Sequence, residues 1–350
     1  MNRLDRLRAE LDAVGVRTFL VSNPVNVEYL TGFRSSNAAV LVSEDRTVVL
    51  TDGRYLDAAQ ALEGVDTVES SRDLGSFLAQ ELGNLAEPPV AFEAGHVTVA
   101  AHEVIARSGV ELRSTGGTVE RLRARKDPAE LETIRRAASI TNRAYERLAA
   151  DRLTGRTEGE VAWWLANVLH EEGADDLAFP SIVASGPNAA RPHHHPGERT
   201  IGAGETVIVD MGAAFRGYAS DCTRTFATGT LPPELTDAYD VCREAQAAGL
   251  DAVRAGASAR EVDAVARSIV ADAGHRVLHG LGHGVGRVVH ELPRLSDTSD
   301  ETLDSGQVVT VEPGVYLAER GGVRIEDLVI VTEGEPEILT GFTKELVTVA

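Results

Sequence analysis

The stretch TVIVDMG, residues 206–212, places an acid and a glycine directly behind a run of β-branched residues. The same order returns at residues 308–314 as VVTVEPG. Each copy is followed by a turn and a second strand-like run with another acid, in YASDCTRTF and in GGVRIEDLVIV. Self-similarity of this kind predicts two related halves, each a β-hairpin with one carboxylate on each strand.

The spacing of the four acids predicts which of them meet. Asp210 and Asp221 lie eleven residues apart, and a tight turn near residues 215–217 would set them opposite or diagonal on one face of the ladder. Glu312 and Glu326 should do the same across a slightly longer loop. Any one of these acids, taken alone, is also consistent with a solvent-facing strand residue. Matching positions in both hairpins favour a shared site.

Carboxylates are unusual behind apolar strand runs. Aspartate and glutamate are poor strand formers, and like charges that are buried together cost several kcal/mol unless something neutralises them. A divalent cation neutralises them most simply, and two cations do so better because carboxylates can bridge. The pattern therefore predicts a metal site.

A second motif, HGLGHGVGRVVHELP at residues 279–293, combines three histidines with four glycines. One interpretation is a dinucleotide-binding loop, but the spacing excludes it, because the third glycine of that fingerprint would fall on Val285 or Arg287. The other interpretation is a metal or proton-transfer site around His283. Four carboxylates and one imidazole form a hard ligand set that suits Mn²⁺ or Co²⁺, with Zn²⁺ as a further candidate, and leaves positions open for water.

Composition limits the classes of function. The net charge of −20 argues against nucleic acid or an anionic membrane as a partner, because both require a positive surface. Two cysteines in 350 residues do not make a disulfide framework, which favours a reducing compartment. The N-terminus has the periodicity of an amphipathic helix rather than a signal peptide, and no apolar run reaches ~18 residues. We expect a cytoplasmic protein.

Two domains are expected. Residues 1–121 alternate strand and helix patterns and predict an α/β domain with a mixed sheet. The basic run 121–126 is typical of a linker, and Asp127 with Glu130 forms a capping box at the start of a helix. Residues 122–350 predict an α+β domain. Strands are predicted at RTFLVS, AAVLVS, RTVVLT and PVAFE, and helices at 53–64, 73–84 and 97–108.

These motifs resemble the pita-bread metallopeptidases, and within them the proline-specific branch of prolidase (Xaa-Pro dipeptidase) and aminopeptidase P. The second domain matches that family's order and spacing, and the first resembles the smaller creatinase-type N-terminal domain. The resemblance implies an α+β pita-bread fold with two related β-hairpin halves. It is carried by VDMGAAFRGYASDCTRTF, HGLGHGVGRVVHELPR, VEPGVY, GGVRIED and ASGPNAARPHHHP, and in the first domain by SNPVNVEYLTGF and TDGRYLDAA.

The resemblance also implies a ligand set for two metal ions. Asp210 would chelate one metal, Asp221 and Glu326 would bridge both, and His283 and Glu312 would complete the other side. Glu312 would in addition take the proton from a hydroxide that bridges the metals.

Substrate contacts follow from the same resemblance. His290 would contact the substrate carbonyl or transfer a proton, and His193 matches the family's second substrate histidine. Arg294 corresponds to an arginine that prolidases place near the substrate carboxylate, which a guanidinium grips with two hydrogen bonds. Its alternative is a surface arginine beside a turn. His194 and His195 are interpreted as bystanders in a solvated loop.

The predicted activity is therefore hydrolysis of the Xaa-Pro bond, preferentially in dipeptides, by a homodimer. Small peptides with proline at the second position are the expected partners, without nucleic acid or membrane. Aminopeptidase P action on longer peptides is the alternative, because the sequence does not reveal the wall that excludes them. A binding protein or a metal-free hydrolase such as creatinase on the same scaffold would be expected to lack metal ligands. Methionine aminopeptidase lacks the N-terminal domain.

Overall fold

A computed structural model describes residues 2–349, which form two compact units. The first unit ends at Arg123 and the second begins at Ala124. Among the described residues, no helix is both long and apolar enough to cross a membrane.

The first unit is an α/β domain. Its elements are α1 (Arg3–Val14), β1 (Thr18–Val21), α2 (Pro24–Thr31), β2 (Ala38–Ser43), β3 (Thr47–Thr51), α3 (Leu56–Gln60), β4 (Asp66–Glu69), α4 (Leu74–Leu85), β5 (Val90–Glu93), α5 (Val99–Ile105), β6 (Leu112–Thr115) and α6 (Thr118–Ala124).

Its strands form one sheet in the order β4-β3-β2-β1-β5-β6. The sheet is mixed, as the sequence predicted. The central strand β1 pairs antiparallel with β2 and parallel with β5. Its alternate residues enter two separate cores, since Phe19 and Val21 pack on one face of the sheet and Leu20 on the other. The two strands that the sequence pattern missed, β4 and β6, are the edge strands, whose exposed residues carry no continuous apolar run.

The predicted linker at residues 121–126 is wrong for most of its length. Residues 118–124 form α6, and Val119 and Leu122 pack into the first unit's core. Two of the four basic side chains that suggested a linker, Arg121 and Arg123, lie in the last turn of this helix, where positive charge complements the helix dipole. Lys126 follows, with its side chain 1% exposed in an ion pair with Glu291.

The second unit contains four long helices and fourteen strands among the described residues. Its elements are α7 (Pro128–Ala149), α8 (Glu158–Glu171), β7 (Asp176–Leu177), β8 (Ile182–Ser185), β9 (Thr206–Met211), β10 (Ala213–Phe215), β11 (Tyr218–Ala219), β12 (Cys222–Ala227), α9 (Pro233–Ala252), α10 (Ala259–Asp272), β13 (Gly282–Gly284), β14 (Glu291–Leu295), β15 (Val308–Val311), β16 (Gly314–Leu317), β17 (Gly321–Arg324), β18 (Asp327–Ile330), β19 (Glu337–Ile338) and β20 (Val347–Thr348).

Two hairpins dominate this unit, as the repeat predicted. Strands β9 to β12 form the first, here called the aspartate hairpin, and β15 to β18 form the second, the glutamate hairpin. The first turns at Arg216 and Gly217, which both have positive φ, and the second turns at residues 318–320. Both ladders are interrupted midway, at residues 212 and 220–221 and at residues 312–313 and 325–326.

Each hairpin is backed by its own pair of helices. Residues of α7 and α8 share a core with Val207, Val209 and Phe226 of the aspartate hairpin. Residues of α9 and α10 share another with Val309 and Val311 of the glutamate hairpin. The second unit is therefore built from two halves, each a hairpin with a helix pair. The two hairpin halves were expected from the sequence.

Local signals at the start of α7 also agree with the structure. Asp127 accepts a hydrogen bond from the Glu130 amide at 2.9 Å, and the Glu130 carboxylate accepts one from the Asp127 amide at 2.8 Å. Both cysteines are buried and unpaired, and Cys222 packs in the core behind the aspartate hairpin, as predicted for its face of the strand.

Candidate metal centre

Three of the side chains singled out from the sequence meet where the hairpins are interrupted. Asp221 lies between β11 and β12, Glu326 lies between β17 and β18, and His283 lies in β13. One ligand atom of each lies within 4.8 Å of the others. Strands that are far apart in sequence thus bring two carboxylates and an imidazole to one point.

Glu312 joins this group through His283. Its Oε1 lies 3.2 Å from Nε2 of His283, and the same nitrogen lies 3.7 Å from Oδ2 of Asp221. Burial opposes the charge on Glu312, but the hydrogen bond with His283 and the positive charges of His283, His279 and Arg324 together outweigh it and lower the pKa of Glu312 to about 2. Burial likewise opposes the charge on His283, but the hydrogen bond and negative charge of Glu312, together with the Gly284 carbonyl and Asp210, outweigh it and raise the pKa of the imidazole.

Asp210 is held differently. Its Oδ2 accepts a hydrogen bond from Nη2 of Arg324 at 2.8 Å. Its Oδ1 is buried and has no hydrogen-bond partner among the described residues. Burial, reinforced by the charge of Glu312, raises the pKa of Asp210 in spite of Arg324. A buried carboxylate oxygen without a donor is a position that a cation could satisfy.

The remaining two carboxylates repel each other. Burial, and then the charges of neighbouring carboxylates, raise the pKa of both Asp221 and Glu326 well above the usual range. Glu326 has one partner of its own, the Thr223 hydroxyl, which donates to its Oε2 at 2.8 Å. The site therefore concentrates more negative charge than its own donors neutralise, and this is the condition under which a divalent ion binds.

Sequence reasoning missed the residues that support the site. Arg324 donates to Asp210, to the Tyr316 hydroxyl at 3.2 Å and to the Thr223 hydroxyl at 3.1 Å. The Tyr316 hydroxyl is also 2.9 Å from Nε2 of His279. A signal for Arg324 was present, because alternate residues of a strand share a face and Arg324 precedes Glu326 by two.

Two of the proposed substrate residues, His290 and Arg294, lie beside His283. The ring of His290 lies 4.3 Å from that of His283 at an interplanar angle of 75°. Burial, together with the positive charge of His283, lowers the pKa of His290. Arg294 pairs with His283 across β13 and β14, so the two side chains project on the same face, and Arg294 is exposed.

The PHHH loop contradicts one expectation. His193 is exposed, and the carbonyl of the preceding Pro192 accepts a hydrogen bond from Arg324 at 3.0 Å. His195 is exposed as well. His194 is not a solvated bystander, because its Nε2 lies 2.7 Å from Oε2 of the fully buried Glu158. No local pattern could have revealed this pair, since thirty-six residues separate its members.

Two glycines let the backbones close up around the acids. A Cβ on Gly212 would overlap the Ser220 carbonyl oxygen, and a Cβ on Gly282 would overlap the Thr310 carbonyl oxygen. Glycine is required at both positions by this close approach, because any side chain would push the facing strands apart.

The donor set fits hard divalent ions. Carboxylate oxygens with one imidazole nitrogen suit Mn²⁺, Co²⁺ or Zn²⁺ better than a soft metal, which prefers thiolates. A site of this composition can polarise a carbonyl and activate water for hydrolysis.

Comparisons with known proteins agree with this chemistry. Residues 132–333 match the model of metallopeptidase family M24, and residues 3–125 match that of the creatinase/prolidase N-terminal domain. An uncharacterized peptidase of Bacillus subtilis, YqhT, is 34% identical over 350 residues, which cover 99% of each protein.

Two solved structures are similar over nearly the whole chain. An Xaa-Pro dipeptidase from Bacillus anthracis has a TM-score of 0.95 and 34% identity, with 99% of each chain covered. An X-Pro aminopeptidase from Thermotoga maritima has a TM-score of 0.88 and 31% identity, with 99% of this chain and 100% of that chain covered.

Proposed function

The chain belongs to metallopeptidase family M24 and is a metallopeptidase, and we propose that it hydrolyses the peptide bond before proline in Xaa-Pro dipeptides. The similarity to the Bacillus anthracis Xaa-Pro dipeptidase over the full chain supports this substrate. We assign catalysis to the domain of residues 122–350, and we assign residues 1–121 to the creatinase-type N-terminal domain.

One observation carries the metal assignment, namely the convergence of buried carboxylates that lack enough donors of their own. The residues that would hold two divalent ions, Mn²⁺ or Co²⁺ with Zn²⁺ as a third candidate, are Asp210, Asp221, His283, Glu312 and Glu326. Bound ions of this kind supply Lewis-acid polarisation of a carbonyl and lower the pKa of water.

The chain's own residues then have distinct tasks. A carboxylate oxygen of Glu312 takes the proton of the attacking water, because Glu312 is the acid of this group that stays ionised most readily. His290 and His193 contact the substrate around the scissile carbonyl. Arg294 binds the carboxylate of the proline residue, which in a dipeptide lies one residue beyond the scissile bond.

Aminopeptidase P activity on longer peptides is the second candidate. The similarity to the Thermotoga maritima X-Pro aminopeptidase supports it, since that chain is covered completely. The two candidates share the metal residues and differ in whether a peptide can extend beyond proline.

One experiment tests both candidates. The full-length protein is stripped of metal with a chelator, reconstituted separately with Mn²⁺, Co²⁺ and Zn²⁺, and assayed on Ala-Pro, Ala-Ala and Ala-Pro-Pro. We expect Ala-Pro to be hydrolysed fastest, and only after reconstitution. Undiminished turnover in the stripped protein would contradict the metal assignment. Equal rates on Ala-Ala would contradict proline specificity, and faster cleavage of Ala-Pro-Pro would favour the second candidate.

We also propose that the enzyme is a homodimer. Two-fold dimers are the commonest soluble oligomers, and the family resemblance points the same way. The molecular mass in solution tests this, with 37.2 kDa as the mass of one chain. A monomeric mass at the concentrations used for assay would refute it.

A further inference from the structure

We propose that His194 and Glu158 are positioning residues that hold the loop from which His193 reaches the substrate. This rests on the proposed function in one respect, because His193 is a substrate residue only under that proposal. The loop in question, here called the histidine loop, comprises residues 188–195, NAARPHHH.

Glu158 ties the two ends of the histidine loop together. Upstream, its Oε1 accepts hydrogen bonds from the Ser185 amide and hydroxyl, both at 2.8 Å, and both carboxylate oxygens accept from Asn188 Nδ2 at 3.1 Å. Downstream, its Oε2 binds Nε2 of His194 at 2.7 Å. A single carboxylate therefore closes the base of the loop.

The position of Glu158 makes this tie strong. It is the first residue of α8 after the Thr157 cap, and its side chain is 0% exposed. The N-terminus of a helix favours a negative charge, and a buried carboxylate depends on its donors, because an unpaired one is costly. Burial opposes ionisation, but the hydrogen bonds from His194 and Ser185 outweigh it and lower the pKa of Glu158.

A second tie lies on the other side of His193. The Pro192 carbonyl accepts a hydrogen bond from Nη1 of Arg324, whose Nη2 binds Asp210. His193 thus stands between one neighbour that is tied to the candidate metal centre and another that is tied to α8. Its own side chain is exposed, so its direction depends on these two neighbours.

The segment after the loop continues the attachment to α8. The Gly159 amide donates to the Gly197 carbonyl at 2.9 Å, and the Glu158 amide donates to the Arg199 carbonyl at 3.0 Å. His194 is the side chain that extends this attachment to the residue next to His193. Its loss would leave the backbone of Glu158 engaged while freeing the tip of the histidine loop.

The test combines His194→Ala, His194→Gln, His193→Ala and the double variant His193→Ala/His194→Ala, with His195→Ala as the matched control. We expect His194→Ala to lower kcat/KM for Ala-Pro roughly 10- to 100-fold, because small misplacements of a substrate group are costly. His194→Gln, whose amide can donate to Glu158, should recover most of this loss. His195→Ala should stay close to wild type.

The double variant separates positioning from general structural damage. If His194 acts through His193, adding His194→Ala to His193→Ala should change kcat/KM by less than about twofold, because residues that act as a unit are not additive. An undiminished effect of His194→Ala in the His193→Ala background would overturn the proposal, as would an equal loss in His195→Ala.

Hydrogen exchange of residues 188–195 gives a readout that does not depend on the substrate. His194→Ala should speed amide exchange in the histidine loop, and His194→Gln should restore protection. Unchanged exchange in His194→Ala would overturn the proposal even if activity fell. If the wild-type enzyme does not hydrolyse Ala-Pro, the proposed function is refuted instead. The hydrogen-exchange measurement would then still test whether His194 and Glu158 hold the histidine loop.

Discussion

The aspartate hairpin and the glutamate hairpin share one pattern of sequence but arrange their acids differently. In the aspartate hairpin, Asp210 lies opposite Thr223 on the neighbouring strand. In the glutamate hairpin, the residue pairs before and after the interruption keep one register, and this register places Glu312 opposite Glu326. The acids are therefore diagonal in one hairpin, where Asp221 is two residues from Thr223, and directly opposed in the other.

Each hairpin also contains a residue that donates a hydrogen bond to an acid of the other hairpin. Thr223 of the aspartate hairpin donates to Glu326, and Arg324 of the glutamate hairpin donates to Asp210. Neither hairpin supplies all the donors that its own acids need. The difference teaches that the two hairpins depend on each other, because each half supports a carboxylate of the other.

The largest effect is expected from removing a charge that both hairpins surround. Asp221→Asn should lower kcat/KM at least about 10³-fold, because metal ions contribute several kcal/mol of transition-state stabilisation and an amide cannot supply the negative charge that would hold them. Steady-state assays with measured metal content check this. Asp237→Asn, on the exposed face of α9, is the control. Wild-type activity of Asp221→Asn would remove Asp221 from the site.

His290 lies outside both hairpins, and its substitution tests whether it belongs to the metal ligands or to the substrate residues. His290→Ala should lower kcat on the order of 10²–10⁴-fold, as expected for a positioned proton-transfer group, while metal content stays at the wild-type value. Elemental analysis alongside kinetics distinguishes the two roles. Loss of half the metal in this variant would assign His290 to the ion rather than to the substrate.

The hydrogen bonds between the two hairpins predict that metal affinity falls by different amounts when different donors are removed. Arg324→Lys should weaken metal binding ~10- to 100-fold, because lysine cannot bond Asp210, Thr223 and Tyr316 together. Thr223→Val removes the hydroxyl that donates to Glu326 and accepts from Arg324, but it leaves the bond between Arg324 and Asp210, so it should weaken binding less, ~5-fold. Competition with a chelator measures both, with Arg320→Lys in the exposed turn as control. Equal affinities throughout would mean that each hairpin holds its acids unaided.

The smallest effect concerns stability without metal. Because the folded pKa of Asp221 is raised, its ionisation destabilises the fold as the pH rises above the unfolded value of about 3.9. The amide in Asp221→Asn does not titrate in this pH range. At pH 8 the metal-free variant should therefore melt a few degrees above the metal-free wild type, a difference of about 1 kcal/mol in the free energy of unfolding. The gap should narrow towards pH 5. Calorimetry at both pH values checks this, and a gap that widens on acidification would contradict it.

The sequence predicted what local patterns encode. The two hairpins, their turns and the capping box at Asp127 followed from periodicity and short-range spacing. Edge strands β4 and β6 did not, because an edge strand needs no apolar run. The helix α2 was missed because its eight residues are too few to show a clear helical period.

The residues of the site could be predicted where they lie in recognisable sequence motifs. The acids and His283 stand in such motifs, and the structure brings Asp221, His283 and Glu326 together. The tie between Arg324 and Pro192 spans 132 residues, and no periodicity relates its ends. Long-range side-chain contacts of this kind depend on the packing of the whole domain, which single-sequence reasoning does not reach.

Gly212 and Gly282 carry a consequence for how the enzyme tolerates mutation. Neither residue has any chemistry to offer, yet alanine at either position would collide with a facing carbonyl and spread the strands that hold the acids. Random mutagenesis scored by activity should therefore find these two positions as intolerant as the carboxylates themselves. The sequence of this enzyme should therefore be restricted at positions that must lack a side chain as strictly as at positions that carry reactive groups.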